Sequence, residues 1–418
     1  MNNKQIRRRN VSAKPISANE SPKVSHSNSK RRMSHSNRSC IFSLLFCFCG
    51  CILIAFVTGL FMCPFETVMK IEDIVNVQLK NAYAVNSLLS TGKKLHNIFP
   101  TPECTVEGKD KLLYAGLADG RVVCIHPSND GEIGAGKVEN ITTGVIQGAV
   151  NTYDAWGHGR PFGLRLVGET LYVADAIYGL YMVDIKLKKI SILVSPDAVV
   201  PNINFADDLD ITTDGNFIYF SDATKNQLTH YHFEVYSGIC SGRIFRYNLI
   251  SKKLDIVITN LCFANGVQLS NNEHQLVVTE TNRNRITWYD IETWKPLHVV
   301  NLPFKPNNVR ITDRGTYLVA GSGPFLRPMI KSIFFNFPLL RKSISGLLSV
   351  HALDTLYQAM YDESHCFLVE LNDFGEVVNV MQGTDGKLAY AIASGIELSD
   401  GRIALGTWAA DHMAIIDR

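Results

Sequence analysis

A short strand-like pattern recurs six times in the C-terminal three quarters of the chain and constrains the fold more than any other feature. Each copy is an apolar run that closes on a small or acidic residue. The copies end at Gly116, Asp175, Asp222, Glu280, Gly321 and Gly406. A four-stranded propeller blade takes about 40–50 residues, and loops account for the longer intervals. We therefore predict an all-β fold, a six-bladed β-propeller over residues 101–418.

A second apolar segment follows several of these copies. The segments are GRVVCIH (120–126), GLYMVDI (179–185), GRIFRYNL (242–249) and RITWYDI (285–291). We interpret each segment as the second strand of a blade, followed by a turn and a third strand. Two separate sandwiches would not repeat in this way.

The longest interval between copies contains residues 324–360, which are apolar at helical spacing with Lys and Arg interspersed. We predict a helical insertion here. It either packs over one face of the propeller, lies on a membrane surface, or plugs the propeller edge as a helical hairpin.

Residues 40–63 form an uncharged apolar stretch near the N-terminus. At about 1.5 Å per residue such a helix crosses a hydrocarbon core of roughly 30 Å. Residues 1–39 carry ten Lys or Arg and a single acid, and we expect this tail to be disordered and cytoplasmic. The pattern predicts a type II signal anchor in the plasma membrane or an endomembrane, with residues 64–418 outside the cell or in the lumen.

The charge of the remaining chain limits its partners. Of 41 basic and 39 acidic residues in total, 31 basic and 38 acidic lie outside the tail. A nucleic-acid-binding domain is basic, so this balance argues against nucleic acid as a partner.

Residues 64–100 connect the anchor to the propeller. Apolar side chains recur there at steps of three and four residues, at Val68, Ile71, Val75, Leu79 and Ala82. This spacing is typical of one helix face and predicts a helical stalk.

Three sequons and five cysteines bear on the outer compartment. Asn140 begins an N-glycosylation sequon on the predicted outer side, whereas the sequons at Asn10 and Asn37 fall in the tail. The cysteines beyond the anchor are Cys104, Cys124, Cys240, Cys262 and Cys366. Their odd number leaves at least one unpaired or bonded to another chain, and the pairing stays open.

Several longer phrases occur in a fixed order. They are GRPFGLRLVGETLYVADAIYGL (159–180), FADDLDITTDGNFIYFSDAT (205–224), GRIFRYN (242–248), FANGVQLS (263–270) and LPFKPNNVR (302–310). Together they resemble the strictosidine synthase-like family, in its branch of adipocyte plasma membrane-associated proteins and hemomucins. The resemblance covers residues 64–418 and implies the same tail, single anchor and outward propeller. More distantly the family is similar to paraoxonases and other calcium-dependent six-bladed hydrolases.

Oxygen-bearing side chains precede inner strands in four blades. They are Glu103, Asp207, Asn265 and the pair Asn307 and Asn308. Calcium takes roughly six to eight oxygen ligands, and inner strands direct such groups at one axis. In the calcium-dependent relatives the matching phrases carry metal ligands, so the resemblance implies a Ca²⁺ site of these five residues. Singly, each residue also fits a turn or a strand cap.

The site departs from its relatives at positions that matter for chemistry. Relatives commonly have Asn at the position of Asp207 and Asp at the position of Asn307. The set keeps a formal charge of about −2, but an amide at Asn307 cannot serve as a nucleophile or base. Asp207 is therefore the candidate catalytic carboxylate. Ser394 stands where plant strictosidine synthases have their catalytic glutamate, which argues against strictosidine synthase activity.

Two function classes remain. The first is a membrane-anchored, calcium-dependent esterase of the arylesterase kind that hydrolyses small hydrophobic esters. Phe162, which replaces a paraoxonase-type histidine, would then line the pocket with His158 as the nearest imidazole, although a solvent-facing loop also explains His158. The alternative is a non-catalytic cell-surface binding glycoprotein with structural calcium. No protein partner follows from the sequence.

The sequons test the predicted topology. On expression of the full-length chain in animal cells, Asn140→Gln is expected to remove one glycan and increase gel mobility. Asn10→Gln is the matched control and should leave mobility unchanged, because the cytoplasmic side lacks glycosylation. Glycosylation at Asn10 but not at Asn140 would reverse the assigned topology.

Overall fold

The computed structural model describes residues 35–71, 74–95, 99–150, 157–324 and 328–418. The described residues divide into two units, one that ends at Ile54 and one that spans Ala55–Arg418. Residues 1–34 of the predicted basic tail, with the sequon at Asn10, lie outside the described residues. The last residues of the tail, 35–39, belong to the first helix.

Helix α1 spans His35–Met62. Its segment Ser43–Met62 has a mean hydropathy of 2.6 and is long and apolar enough to cross a membrane. The helix begins five residues before the predicted span and ends one residue earlier. This apolar helix indicates a membrane anchor.

The rest of the chain forms mainly short antiparallel strands. In chain order they are β1 Lys93–Lys94, β2 Thr105–Glu107, β3 Leu113–Gly116, β4 Val122–Ile125, β5 Val138–Asn140, β6 Pro161–Val167, β7 Thr170–Asp175, β8 Gly179–Asp184, β9 Lys189–Val194, β10 Ala206–Ile211, β11 Phe217–Asp222, β12 Gly242–Asn248, β13 Leu254–Leu261, β14 Ala264–Leu269, β15 Gln275–Glu280, β16 Arg285–Asp290, β17 Pro296–Asn301, β18 Lys305–Ile311, β19 Tyr317–Ser322, β20 Cys366–Leu371, β21 Val377–Gly383, β22 Ile392–Glu397, β23 Ile403–Thr407 and β24 Ala414–Ile416.

These strands build six four-stranded sheets, which confirms the six-bladed propeller. Blades 1 to 5 are β2–β5, β6–β9, β10–β13, β14–β17 and β18–β21. Blade 6 consists of β22, β23 and β24 with β1 at its outer edge. Because β1 comes from the segment before blade 1, the two ends of the propeller sequence meet in one sheet and close the ring.

The predicted stalk helix at 64–100 is wrong. The described residues of this segment are irregular, apart from β1 and two 3₁₀ turns at Asn81–Tyr83 and Leu88–Ser90. The apolar side chains of this segment do not share one helix face, and they pack against different clusters of the core. Ile71 is buried in one cluster of the core, and Leu79 packs against a different one. The periodic spacing thus reflects separate contacts, with the helices between strands and with the propeller blades.

The recurring motif is the second strand of each blade, not the first. The six copies coincide with β3, β7, β11, β15, β19 and β23. Each companion segment is consequently the third strand, one place further out than predicted. Sequence patterns missed the innermost strands because these carry buried polar residues, as in ADDLDI of β10 and KPNNVRI of β18.

The acidic residues that close three copies of the motif hold the loop before the inner strand. Asp175 Oδ1 accepts hydrogen bonds from the backbone amides of Arg160, Ile177 and Tyr178 at 2.8–3.0 Å. Asp222 Oδ1 accepts from the backbone amide of Phe205 at 2.9 Å. These carboxylates satisfy buried N–H groups that no strand pairs, which explains why the motif repeats.

Four further helices lie between strands. They are α2 Phe233–Ser237, α3 Pro328–Asn336, α4 Pro338–Leu347 and α5 Val350–Gln358. The last three form the predicted helical insertion, between the second and third strands of blade 5. A disulfide joins Cys240 and Cys262, while Cys104, Cys124 and Cys366 are buried thiols.

Glu234 of α2 makes the stability of the fold depend on pH. The side chain is buried, with Oε2 accepting a hydrogen bond from Ser241 Oγ at 3.0 Å. Burial raises the pKa of this carboxyl from 4.5 to about 8. The folded chain therefore holds a proton that the unfolded chain has released between pH 4.5 and 8, and stability is lost as the pH rises through this window.

Glu234→Gln removes this dependence. Relative to the wild type, its unfolding free energy should gain up to about 1.4 kcal/mol per pH unit between pH 4.5 and 8, because the amide cannot ionise. Thermal unfolding of the full-length protein in detergent at several pH values measures the difference. The exposed Glu292→Gln controls for net charge, and a difference that stays constant with pH would contradict the prediction.

Candidate functional site

Breaks in strand register place the candidate site residues on the propeller axis. The pairing of three inner strands with their neighbours shifts between Ala206 and Leu209, between Ala264 and Val267, and between Pro306 and Val309. These bulges contain Asp207, Asn265, Asn307 and Asn308. A bulge interrupts the strict alternation of side chains, so successive polar residues can both remain in the interior of the ring.

Hydroxyl groups of the second strands hold the bulged backbone. Ser221 Oγ donates to the carbonyl of Asn265 at 2.6 Å and accepts from the amide of Asp208 at 3.0 Å. Thr279 Oγ1 likewise donates to the carbonyl of Asn307 at 2.6 Å. These bonds link neighbouring blades and fix where the side chains of the bulges begin.

A cavity of about 370 Å³ lies at the start of the inner strands. Four of the five predicted metal ligands line it: Glu103, Asp207, Asn265 and Asn307. Phe162, Phe205, Phe263 and Leu228 supply apolar lining. The cavity therefore combines oxygen-bearing side chains with aromatic walls.

Several of these side chains have buried atoms without a protein partner. Among the described residues, Oδ1 of Asp207, Asn265, Asn307 and Asn308 makes no hydrogen bond. Unpaired buried oxygens are rare in folded proteins, and a cation is one group that satisfies them. In the described part of the chain, no three His, Cys, Asp or Glu side chains are grouped to hold a metal, so a site here depends on amide oxygens.

A buried ion pair supports the site at the axis. Both carboxylate oxygens of Asp208 accept from Arg310, at 2.7 and 2.9 Å, and Oδ2 also accepts from the amide of Val267 at 2.8 Å. Arg310 Nη2 lies 3.1 Å from Cys104 Sγ, and Arg165 Nη1 lies 3.5 Å from Asp208 Oδ1. These residues come from blades 1 to 5, so one polar cluster joins five blades. We call it the axial cluster.

The two acidic side chains that Glu103 and Asp207 contribute to the cavity have raised pKa values. Burial raises the pKa of Glu103 to about 8, although Arg160 Nη2 lies 3.4 Å from its Oε2 and opposes the rise. Burial, Glu103 and Asp208 together hold the pKa of Asp207 well above its usual range. Positive charge near these two carboxyls would favour their ionised forms.

A second ion pair borders the cavity beside blade 5. Lys305 Nζ lies 3.3 Å from Glu363 Oε1 and 4.7 Å from the ring centre of Tyr357. Ser322 Oγ donates to the other oxygen of Glu363. Lys305 and Arg160 are the two cationic side chains among the described lining residues.

Helix α5 closes part of the cavity. Its Tyr357 lines the cavity together with Tyr231. Tyr231 Oη donates to Asp354 at 3.2 Å and accepts from Gln358 at 2.5 Å. The insertion is thus bonded to the wall of the site rather than to a remote edge of the propeller.

The sequence identified part of this cavity. Asn308 is buried next to Asn307, and neither Asn308 nor His158 belongs to the lining that the described residues form. Sequence reasoning missed Arg160 and Lys305, although both lie in the quoted phrases, two residues before Phe162 and Asn307. Nothing in the sequence indicated Tyr357 or Glu363. Tyr357 lies near the end of the insertion and Glu363 follows it, and neither belongs to a recognisable motif.

The fold and the cavity define a class: six-bladed propellers with an N-terminal apolar helix and one axial cavity floored by acid and amide side chains. A family model described as strictosidine synthase matches residues 207–293. The adipocyte plasma membrane-associated protein of Gallus gallus is 32% identical over 303 residues, covering 69% of both chains. The protein strictosidine synthase-like 13 of Arabidopsis thaliana is 31% identical over 328 residues, covering 72% of this chain and 74% of its own. The chain belongs to the strictosidine synthase-like family.

Among solved structures, a gluconolactonase from Xanthomonas campestris is similar with a TM-score of 0.49 and 12% sequence identity. The match covers 78% of this chain and 88% of that structure.

The axial cluster predicts a large effect from one substitution. Arg310→Met leaves the buried Asp208 carboxylate without its main partner and should lower the unfolding free energy by about 3–5 kcal/mol. Adding Asp208→Asn should restore part of the loss, since the uncompensated charge is gone. Denaturation of the full-length variants in detergent measures both effects.

The matched control is Arg402→Met. It breaks a partly exposed ion pair, in which Arg402 Nη2 lies 2.8 Å from Asp400 Oδ2. A pair of this kind contributes about 0–1 kcal/mol. Equal losses for Arg310→Met and Arg402→Met would show that the axial cluster does not stabilise the ring.

Proposed function

We propose that this protein is a membrane-anchored, calcium-dependent esterase that hydrolyses small hydrophobic esters in its axial cavity. The observation that carries the proposal is the juxtaposition of unpaired buried oxygens with aromatic walls in one cavity. A polar floor suits a reacting carbonyl group, and apolar walls suit the remainder of a hydrophobic ester.

The donor set fits a hard divalent cation. Glu103, Asp207, Asn265 and Asn307 would hold it, with Asn308 adjacent, and all offer the carboxylate or amide oxygens that Ca²⁺ prefers. Glu103 and Asp207 bring two carboxylates to the site, Arg160 offsets part of their charge, and a bound cation would lower the raised pKa values of both acids. When bound, Ca²⁺ would polarise an ester carbonyl and stabilise negative charge on its oxygen.

Asp207 is the side chain best suited to accept a proton from the attacking water. Glu103 and Glu363 are engaged by Arg160 and Lys305, whereas Asp207 Oδ1 has no hydrogen-bond partner among the described residues. Because a bound cation would lower the raised pKa of Asp207, its carboxylate would be ionised in the loaded site and able to accept the proton. Asp207 could also attack the carbonyl directly, whereas the amide of Asn307 can do neither.

Aromatic residues would set the preference for hydrophobic esters. Phe162 and Phe205 stack with ring centres 5.1 Å apart, and Phe263 meets Phe205 edge-on at 5.4 Å. Arg160 covers the ring of Phe162 at 4.4 Å. These walls would hold the aryl or acyl group and keep water from it, while Arg160 and Lys305 favour developing negative charge.

The proposed location is outside the cell or in the lumen, with type II topology. The disulfide between Cys240 and Cys262 supports this placement, since such bonds persist in oxidising compartments. Asn140 is exposed at the end of β5 and so accessible for glycosylation. The relative from Gallus gallus is likewise named as a plasma membrane-associated protein.

A binding glycoprotein with structural calcium is the second candidate. It is favoured by Asn307 and Phe162 at positions where hydrolytic relatives carry a carboxylate and a histidine. With Glu103 and Glu363 both ion-paired, Asp207 alone would have to supply the base. In this case the cation would stabilise the propeller without turnover.

Hydrolysis of phenyl acetate by the purified full-length protein tests the proposal. Activity should require Ca²⁺, disappear with a chelator and return when Ca²⁺ is added. Asp207→Asn should lower the turnover rate about 100-fold or more, because it removes the proton acceptor. Asn265→Ala should weaken Ca²⁺ binding at least about tenfold through the loss of one ligand.

The exposed Asn271→Ala is the matched control and should behave as the wild type. Calcium-dependent thermal stabilisation without hydrolysis would favour the binding protein. Hydrolysis that survives the chelator, or that needs no more Ca²⁺ in Asn265→Ala than in the wild type, would exclude the proposed metal-dependent mechanism.

A further inference from the structure

Helix α4 has its polar and apolar sides reversed. Arg341 and Ser345 are buried on one side of the helix, whereas on the other side Leu339 is 62% exposed and Leu347 is 48% exposed. A helix on a water-soluble domain buries its apolar residues and exposes its polar ones. The arrangement in α4 suits an outer side that faces an apolar medium.

The buried arginine shows that the reversal is built into the fold. Arg341 Nη1 donates to the carbonyl of Val235 at 3.0 Å, and Nη2 donates to the carbonyl of Met69. Its guanidinium also lies 5.6 Å from the ring centre of Phe334. These contacts hold the polar side of α4 against the protein and fix the leucines on the outside.

Apolar exposure continues on both sides of α4. Besides Leu339 and Leu347, the exposed residues are Phe337, Leu340, Leu348 and Val350. We call these six residues the outer apolar face. A contiguous apolar segment of this kind on an exposed surface marks a contact with a partner or a membrane.

The last turns of α1 identify the medium. Ser343 Oγ donates to the carbonyl of Phe56 at 3.0 Å. A Cβ atom on Gly346 would overlap the carbonyl of Gly59, so these two glycines let the backbones of α1 and α4 touch. Because Phe56 and Gly59 belong to the apolar segment Ser43–Met62, α4 lies beside the end of the candidate membrane span.

The insertion also lies on the cavity face of the propeller. The inner strands start at the cavity, so the connection between the second and third strands of a blade returns to the same face. The insertion is this connection in blade 5, and its Tyr357 lines the cavity. The turn between β8 and β9, with the exposed Leu187, lies on the opposite face.

We infer that the outer apolar face is a second membrane contact, which lies among the lipids at the headgroup and acyl-chain boundary of the leaflet where α1 ends. The cavity face of the propeller is thereby held against the bilayer. The chemistry of the partner is that of a phospholipid surface, which accepts exposed leucine and phenylalanine side chains without any specific site. The contact is independent of the proposed esterase activity.

Quenching by brominated lipid tests this contact. The full-length protein carrying Leu339→Trp is reconstituted into phosphatidylcholine nanodiscs, with bromine atoms placed near the upper part of the acyl chains. The introduced indole should emit at shorter wavelength and lose most of its emission with brominated lipid. The signal is taken as the difference from the parent protein, which contains four tryptophans.

Leu187→Trp is the matched control, since Leu187 is 73% exposed on the opposite face. Its indole should emit as in water and resist quenching. Leu347→Trp provides a second probe on the outer apolar face if Leu339→Trp does not fold. Water-like emission from both probes would overturn the inference, as would short-wavelength emission without quenching, which would show that a second copy of the chain covers the face.

Discussion

The ion pair between Asp208 and Arg310 is the interaction on which the site depends. It joins blades 3 and 5 directly and reaches blades 1, 2 and 4 through Cys104, Arg165 and the amide of Val267. A ring of blades buries polar backbone and side-chain groups along its axis, and these groups need partners there. The axial cluster supplies partners below the cavity. The residues that precede it in each inner strand are then left facing the cavity.

The architecture was largely predictable because the repeated strand is apolar and closes on a small or acidic residue. Asp175 and Asp222 recur for the same reason in different blades, since each binds the amides before an inner strand. The predicted order of strands within a blade was wrong, because the inner strands ADDLDI and KPNNVRI do not have the apolar pattern of buried strands. The predicted stalk helix was wrong because Ile71 packs among the helices between strands and Leu79 packs against blades 4 and 5, at a spacing that imitates a helix.

The candidate site was also predictable only in part, because its residues are far apart in the sequence. The four residues of the site come from separate blades: Glu103, Asp207, Asn265 and Asn307. From the sequence, only the resemblance to calcium-dependent relatives indicated that they lie together. Contacts made by the insertion were beyond prediction, since Tyr357 and Glu363 reach the cavity through the packing of α5 and the return of the chain to blade 5. Physical chemistry then adds a constraint: two buried acids with raised pKa values, beside unpaired amide oxygens, form a set that a divalent cation would neutralise.

Terbium luminescence of the full-length protein tests the central claim, that one divalent cation binds on the propeller axis. Terbium occupies oxygen-rich calcium sites, and its emission is sensitised by a nearby indole such as Trp408, which lines the cavity. We expect emission on excitation of tryptophan that Ca²⁺ displaces, that Asn265→Ala weakens and that Trp408→Phe abolishes. Absence of sensitised emission, or emission indifferent to Ca²⁺ and to Asn265→Ala, would contradict the account.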